Sequence, residues 1–240
     1  MASNFGPKGR ESRKETLTEY GNHLVYAEGE KTEPLYVENI KEIINAKNKL
    51  KRSNVNIQVV LDASGRQTLD ILKYAVKDVK RRIKKGEKIN YVWIFYDKDS
   101  FPKDSFDNTY HSIMSKNRLE NSDKHIDNKP CDLNGISWNA CWSNEAFELW
   151  GLLHFANIIS ALSRESYIDK INEYITEEKD KYKKNKENLY EILCKYGSVD
   201  QAIRYAEKLD KNLVNNCVKT NPSTGVYFFV KHFILYLKKD

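Results

Sequence analysis

Three short apolar runs constrain this chain more than any other feature. His23 to Glu28 reads HLVYAE, Val55 to Ala63 reads VNIQVVLDA, and Tyr91 to Asp99 reads YVWIFYDKD. Each is short, rich in β-branched or aromatic residues, and closed by glycine or charge, which argues for buried strands. The two intervals carry a helical period instead. In the first, Thr32, Glu33 and Pro34 supply a hydroxyl or carboxylate cap and a first-turn proline, and Tyr36, Ile40, Ile43 and Ile44 share a face. In the second, Leu69, Leu72, Val76, Val79 and Ile83 share a face, and Gly86 ends the helix. Strand-helix alternation with fully apolar strands predicts an α/β fold, a mostly parallel sheet with helices on both faces. Ligands of such sheets gather beyond the carboxyl ends of the strands. Glu28 and Asp97, far apart in sequence, are thereby predicted to meet at one edge.

The rest of the chain is less regular. Ser100 to Leu133 is polar and interrupted by Pro102 and Pro130, with one helix predicted near Asp104 to Leu119. Gly135 to Ser143, GISWNACWS, alternates like a fourth strand. Ser143 and Asn144 then stand as caps for a helix EAFELWGLLHFANII. After Leu162 the pattern predicts helices and no clear strand, and the NPST run from Asn221 reads as a helix start. Three regions follow: a basic arm over 1–20, an α/β domain over 21–162, and a helical extension over 163–240 packed on the same domain.

Composition narrows the partners. The 240 residues carry a formal net charge of +6, a mild bias toward anions such as nucleic acid. Arg10, Arg13 and Lys14 in the arm are placed to touch phosphates, and the plainer reading is a solvated tail. The four cysteines, Cys131, Cys141, Cys194 and Cys217, show no CxxC pair and no zinc-ligand spacing. They read as ordinary reduced thiols. The opening residues do not read as a signal peptide, and no apolar run is long enough to span a bilayer, so a cytoplasmic protein without a leader or a membrane partner is expected.

The chemistry concentrates in carboxylates. Asp97-Lys98-Asp99 directly follows an apolar strand, and Glu28 closes another. Carboxylates converging without histidine or cysteine suit Mg²⁺ or Mn²⁺. Such an ion activates water and stabilises the leaving oxygen of a phosphodiester. Taken alone, an Asp-x-Asp after a strand is also what a wet turn produces.

The segments VYAEGEKTEPLYVENI, YVWIFYDKDSF, WSNEAFELWGLLHF, DKYKK and NPSTGVYFFVKHF, in this order and spacing, resemble the motifs of the RloB/AbiLii family. The resemblance runs from about His23 to the C-terminus. It implies a Toprim-like domain of phage-defence and restriction loci, with a glutamate after the first strand and an Asp-x-Asp after the third. Those roles fall on Glu28, Asp97 and Asp99. It further implies a Mg²⁺- or Mn²⁺-dependent nuclease acting on DNA or RNA in abortive infection, beside an ABC-type ATPase partner and as a possible homo-oligomer. The alternative is a nucleic-acid-binding or regulatory subunit of an ATPase-coupled complex with little activity alone. The family usually has proline where this chain has Glu145.

Several residues carry two readings. Glu145 either joins the metal set or marks a tolerant helix start. Glu148, one turn on, is either a dipole or capping residue or a second ligand. Lys31 either meets a scissile phosphate or is a surface lysine. Tyr182 and Lys184 either supply a stacking ring and a phosphate contact or belong to a solvated, lysine-rich stretch. Thr32 reads as a helix cap. His154, Trp138, Trp142 and Trp150 read as core.

Overall fold

A computed structural model describes residues 21–51, 55–60, 68–98, 103–117, 125–126, 129–211 and 220–237. The arm over 1–20, with Arg10 and Arg13, lies outside these residues, as do Asp99, Cys217 and the last part of the second apolar run.

The predicted alternation is present. Strand β1 (Asn22–Ala27) leads to helix α1 (Thr32–Lys51), β2 (Asn56–Val60), α2 (Thr68–Lys84) and β3 (Tyr91–Asp97). Helix α3 (Lys103–Lys116), a small hairpin of β4 (His125–Ile126) and β5 (Lys129–Pro130), and β6 (Ser137–Asn144) follow. The chain then runs through α4 (Glu148–Leu153), α5 (Arg164–Tyr174), a 3-10 turn (Glu178–Asp180), α6 (Leu189–Tyr196) and α7 (Val199–Asp210). It closes with β7 (Ser223–Thr224), α8 (Val226–His232) and α9 (Ile234–Leu237). Gly86 follows α2 at φ +81°, a left-handed position that glycine takes without a steric cost.

The five-stranded sheet has the order β2-β1-β3-β6-β7, with β2, β1, β3 and β6 parallel and β7 antiparallel. β1 therefore lies between β2 and β3. The connection through α1 leaves to one side and that through α2 returns to the other. This reversal opens a crevice between the carboxyl ends of β1 and β3, where open α/β sheets bind ligands.

The pleat divides the core in two. Leu24, Tyr26, Val92, Ile94 and Tyr96 pack with Ile71, Leu72 and Val79 of α2 and Phe106 and Ile113 of α3. Val25, Ala27, Tyr91, Trp93 and Phe95 face the other way, onto α1, α4 and α8. That second face is continuous from Tyr36 to Leu237, so the elements after Leu162 share its core.

Three expectations change. The NPST run is not a helix start: Ser223 and Thr224 pair with Asn144 and Ser143 as a strand, and the Asn221–Pro222 peptide is cis. Ser143 and Asn144 are strand residues rather than helix caps. α4 begins only at Glu148 and ends at Leu153. The Asn144–Glu145 peptide is also cis, at the position where the resembled family carries proline. The lysine-rich run before Leu189 is mostly irregular, with α6 confined to its apolar end. Among the described residues, no helix is long and apolar enough to cross a membrane. Cys131, Cys141 and Cys194 are thiols outside any disulfide.

Candidate active site at the sheet edge

Glu28 and Asp97 reach the same edge because β1 and β3 are parallel and in register. Ala27 pairs with Phe95, and the Glu28 amide donates to the Phe95 carbonyl at 3.0 Å. Glu28 is half-buried just past the last strand residue. On the other side of β3, the Lys98 amide donates to the Ser143 carbonyl at 2.9 Å, which carries the ladder with β6 beyond Asp97.

The turn after Glu28 is shaped by crowding. A side-chain carbon on Gly29 would lie 2.3 Å from an oxygen of the Glu33 carboxylate. Glu33 is buried and folds back over this glycine. A larger residue at Gly29 would require the Glu33 carboxylate to move aside. Thr32 is the first residue of α1, and its hydroxyl donates to the Lys184 carbonyl at 3.3 Å. It ties a distant loop to the β1–α1 turn instead of capping the helix.

Asp97 is 8% exposed. One carboxylate oxygen, Oδ2, accepts from the Phe147 amide at 3.1 Å and from Nη2 of Arg164 at 2.8 Å. The same guanidinium donates through Nε to Glu148 Oε2 at 3.3 Å. The other oxygen of Glu148 accepts from the Tyr182 hydroxyl at 3.0 Å. A buried carboxylate survives only when paired and hydrogen-bonded, and Glu148, 2% exposed, is held in this way from both sides. The result is a bonded row, Asp97–Arg164–Glu148–Tyr182, running from the end of β3 to the loop before α6.

The row accounts for the behaviour of Tyr182. Burial, and then the charge and hydrogen bond of Glu148, push its phenol well above the ordinary value, with Glu33 adding to the effect. Its ring is 3% exposed. This leaves no open face for the base stacking expected of it, and its place is structural.

The remaining predicted residues are spread around this row. Glu145 is half-buried at the cis bond, and its charge is felt by the Tyr167 hydroxyl. Lys31 and Lys184 are exposed. Lys184 lies close enough to Glu165 to help lower its carboxyl, behind the larger effects of the Glu165 amide and the Ser163 hydroxyl, and Arg164 acts in the same direction. Among the described residues, no three His, Cys, Asp or Glu side chains gather as a metal-holding group. Asp99 is not among them.

His154, at the end of α4, is buried in the core, with Nδ1 3.0 Å from the Trp150 carbonyl. Trp138, Trp142 and Trp150 are core residues as well.

Arg164 is the residue that sequence reasoning missed. It sits at the first position of α5, directly after Ser163, whose hydroxyl accepts from the Ser166 amide. A cation in the first turn opposes the helix dipole. That mismatch was the available signal: an arginine placed there needs carboxylates from elsewhere to hold it.

Fold and site together define an α/β protein with a mostly parallel sheet, whose switch-point edge carries acidic residues bridged by an arginine. The chain matches the RloB-like protein family over residues 23–233 and belongs to it. No curated protein and no solved structure gives a significant match.

Proposed function

We propose that this protein is a Mg²⁺- or Mn²⁺-dependent nuclease of Toprim type, hydrolysing phosphodiesters of DNA or RNA in bacterial anti-phage defence. One observation carries the reading. Glu28 and Asp97 stand at the carboxyl ends of adjacent parallel strands, at the switch point of the sheet. The donors there are carboxylate oxygens, which fit a hard dication, and Arg164 already places positive charge against Asp97. Glu28 and Asp97, with Asp99, are the residues that would hold the ion. When bound, it would activate a water and neutralise charge on the phosphate.

The chain's own groups have separate tasks. The Phe147 amide fixes the orientation of Asp97. Glu148, anchored by Tyr182, holds Arg164 in place. Lys31 and Lys184, exposed near this edge, are suited to meet the nucleic-acid backbone. The defence role, a cytoplasmic location, an ABC-type ATPase partner and self-association rest on the family resemblance.

The decisive experiment incubates the protein with total tRNA, single-stranded DNA and plasmid, each with Mg²⁺ or Mn²⁺, and sequences the products. Metal-dependent cleavage is expected. It should vanish in an Asp97→Ala, Asp99→Ala double variant that keeps its fold, and persistence of cleavage there would place the chemistry elsewhere.

A second reading is a regulatory or nucleic-acid-binding subunit with little activity of its own. The engagement of Asp97 and Glu148 by Arg164 favours it. Tight binding without product under either metal would select this reading.

A further inference from the structure

We propose that Arg164 is the resident counter-cation of the acidic edge, and that a divalent ion enters by displacing its guanidinium from Asp97. The proposal rests on the metal-site reading above and adds to it a competition built into the site.

Asp97 and Glu148 are both buried carboxylates, and Arg164 bonds to both. With Arg164 in place, one guanidinium is shared between these two carboxylates. Without it, two carboxylates would face each other in a poorly solvated setting, an expensive arrangement. The arrangement is therefore stable in the absence of a metal.

The three side chains differ in their freedom. Glu148 is fixed from its second oxygen by Tyr182, and Asp97 is fixed by the Phe147 amide. Both of those donors remain when Arg164 leaves. The Arg164 side chain is 26% exposed and starts from the first turn of α5, whose dipole does not favour it. Arginine is thus the mobile member of the row and the carboxylates are its fixed frame. A dication offers more charge to Asp97 than a guanidinium, in a smaller volume, and it is attracted to the same oxygen. Bonded through Nε to Glu148, the displaced arginine keeps one anchor while its Nη2 group turns toward solvent.

The test compares Mn²⁺ binding to the wild-type chain and to Arg164→Gln, by calorimetric titration and by the rise in melting temperature on adding Mn²⁺. Removing a unit charge a few ångströms from the ion should tighten binding by roughly tenfold or more. The Mn²⁺-induced rise in melting temperature should be larger in the variant, although the metal-free variant melts lower. Arg164→Lys, which keeps a cation but loses the two-pronged contact, covers the case in which Arg164→Gln does not fold, and should bind Mn²⁺ more tightly than wild type by a smaller factor. Equal or weaker binding in a folded variant would overturn the proposal and make Arg164 purely a positioning residue. Absence of binding in every protein would overturn it together with the metal-site reading. Tighter binding in the variant without any cleavage by the wild type would uphold the competition and remove only the nuclease reading.

Discussion

At the scale of single residues, Glu148 is held by two side chains, one at each carboxylate oxygen. Removing it takes away the acceptor shared by the Arg164 guanidinium and the buried Tyr182 hydroxyl. Glu148→Ala should therefore cost about 3 kcal/mol of stability in urea unfolding. Tyr182→Phe, which removes one hydrogen bond and keeps the ring, should cost only about 1 kcal/mol. His154 supplies a pH signature. Burial lowers its imidazole to about 4, against hydrogen bonds to the Trp150 and Gly151 backbone that act the other way. The folded state thus disfavours the charged ring. Its contribution to stability is fully present above the unfolded value near 6.5 and is lost as pH falls from there toward 4. His154→Leu should flatten the fall in urea midpoint between pH 7 and pH 5, and an unchanged slope would assign it to other groups. Glu28 and Asp97 were readable in the sequence because a carboxylate closing an apolar strand stands out. Arg164 was not, because its partners come from segments that only the fold brings together.

Elements depend on contacts of the same kind. α2 is joined to β1 through Asp78, which accepts from the Tyr26 hydroxyl at 2.9 Å, from Arg82 at 2.7 Å and from Arg81. Burial works to raise the Asp78 carboxyl, yet the hydrogen bonds from Arg82, Arg81 and Tyr26 hold it below its ordinary value. A depressed folded value means stability that is present above the unfolded value near 3.8 and is lost as pH falls below it. Asp78→Asn should lower the unfolding midpoint at pH 7 and weaken its further fall below about pH 4. At the other edge, the Gly225 amide donates to the Trp142 carbonyl at 2.8 Å. A side-chain carbon on Gly225 would lie 2.4 Å from the Trp142 ring and 3.0 Å from the Ala140 carbonyl. Gly225→Ala should thus cost about 2 kcal/mol through overpacking, measured by chemical unfolding. The strands and helices of the first half were legible because their apolar period is clean. β7 was not: two polar residues, Ser223 and Thr224, carry no period, and only the open edge of β6 makes them a strand.

Across the whole molecule, the two faces of the sheet differ in how they are built. The face toward α2 and α3 is closed by local sequence neighbours, whereas the other draws on α1 and on the helices α4 to α9. Phe229, Val230 and Phe233 of the C-terminal part lie in the same core as Trp93 and Phe95 of β3. A chain ending at Lys211 should therefore fail to reach the native state, with loss of near-ultraviolet dichroism, rather than leave an intact sheet domain behind. The bonded row at the site has the same long reach, since Asp97, Glu148, Arg164 and Tyr182 arrive from β3, α4, α5 and the loop before α6. During synthesis, a nascent chain that has emerged only as far as β6 already displays Glu28 and Asp97 but has neither the arginine that occupies the acidic edge nor the tyrosine that steadies it. The order of translation alone ensures that the acidic edge is made before the residues that occupy and steady it, and that these in turn precede the helices α6 to α9 that complete the core.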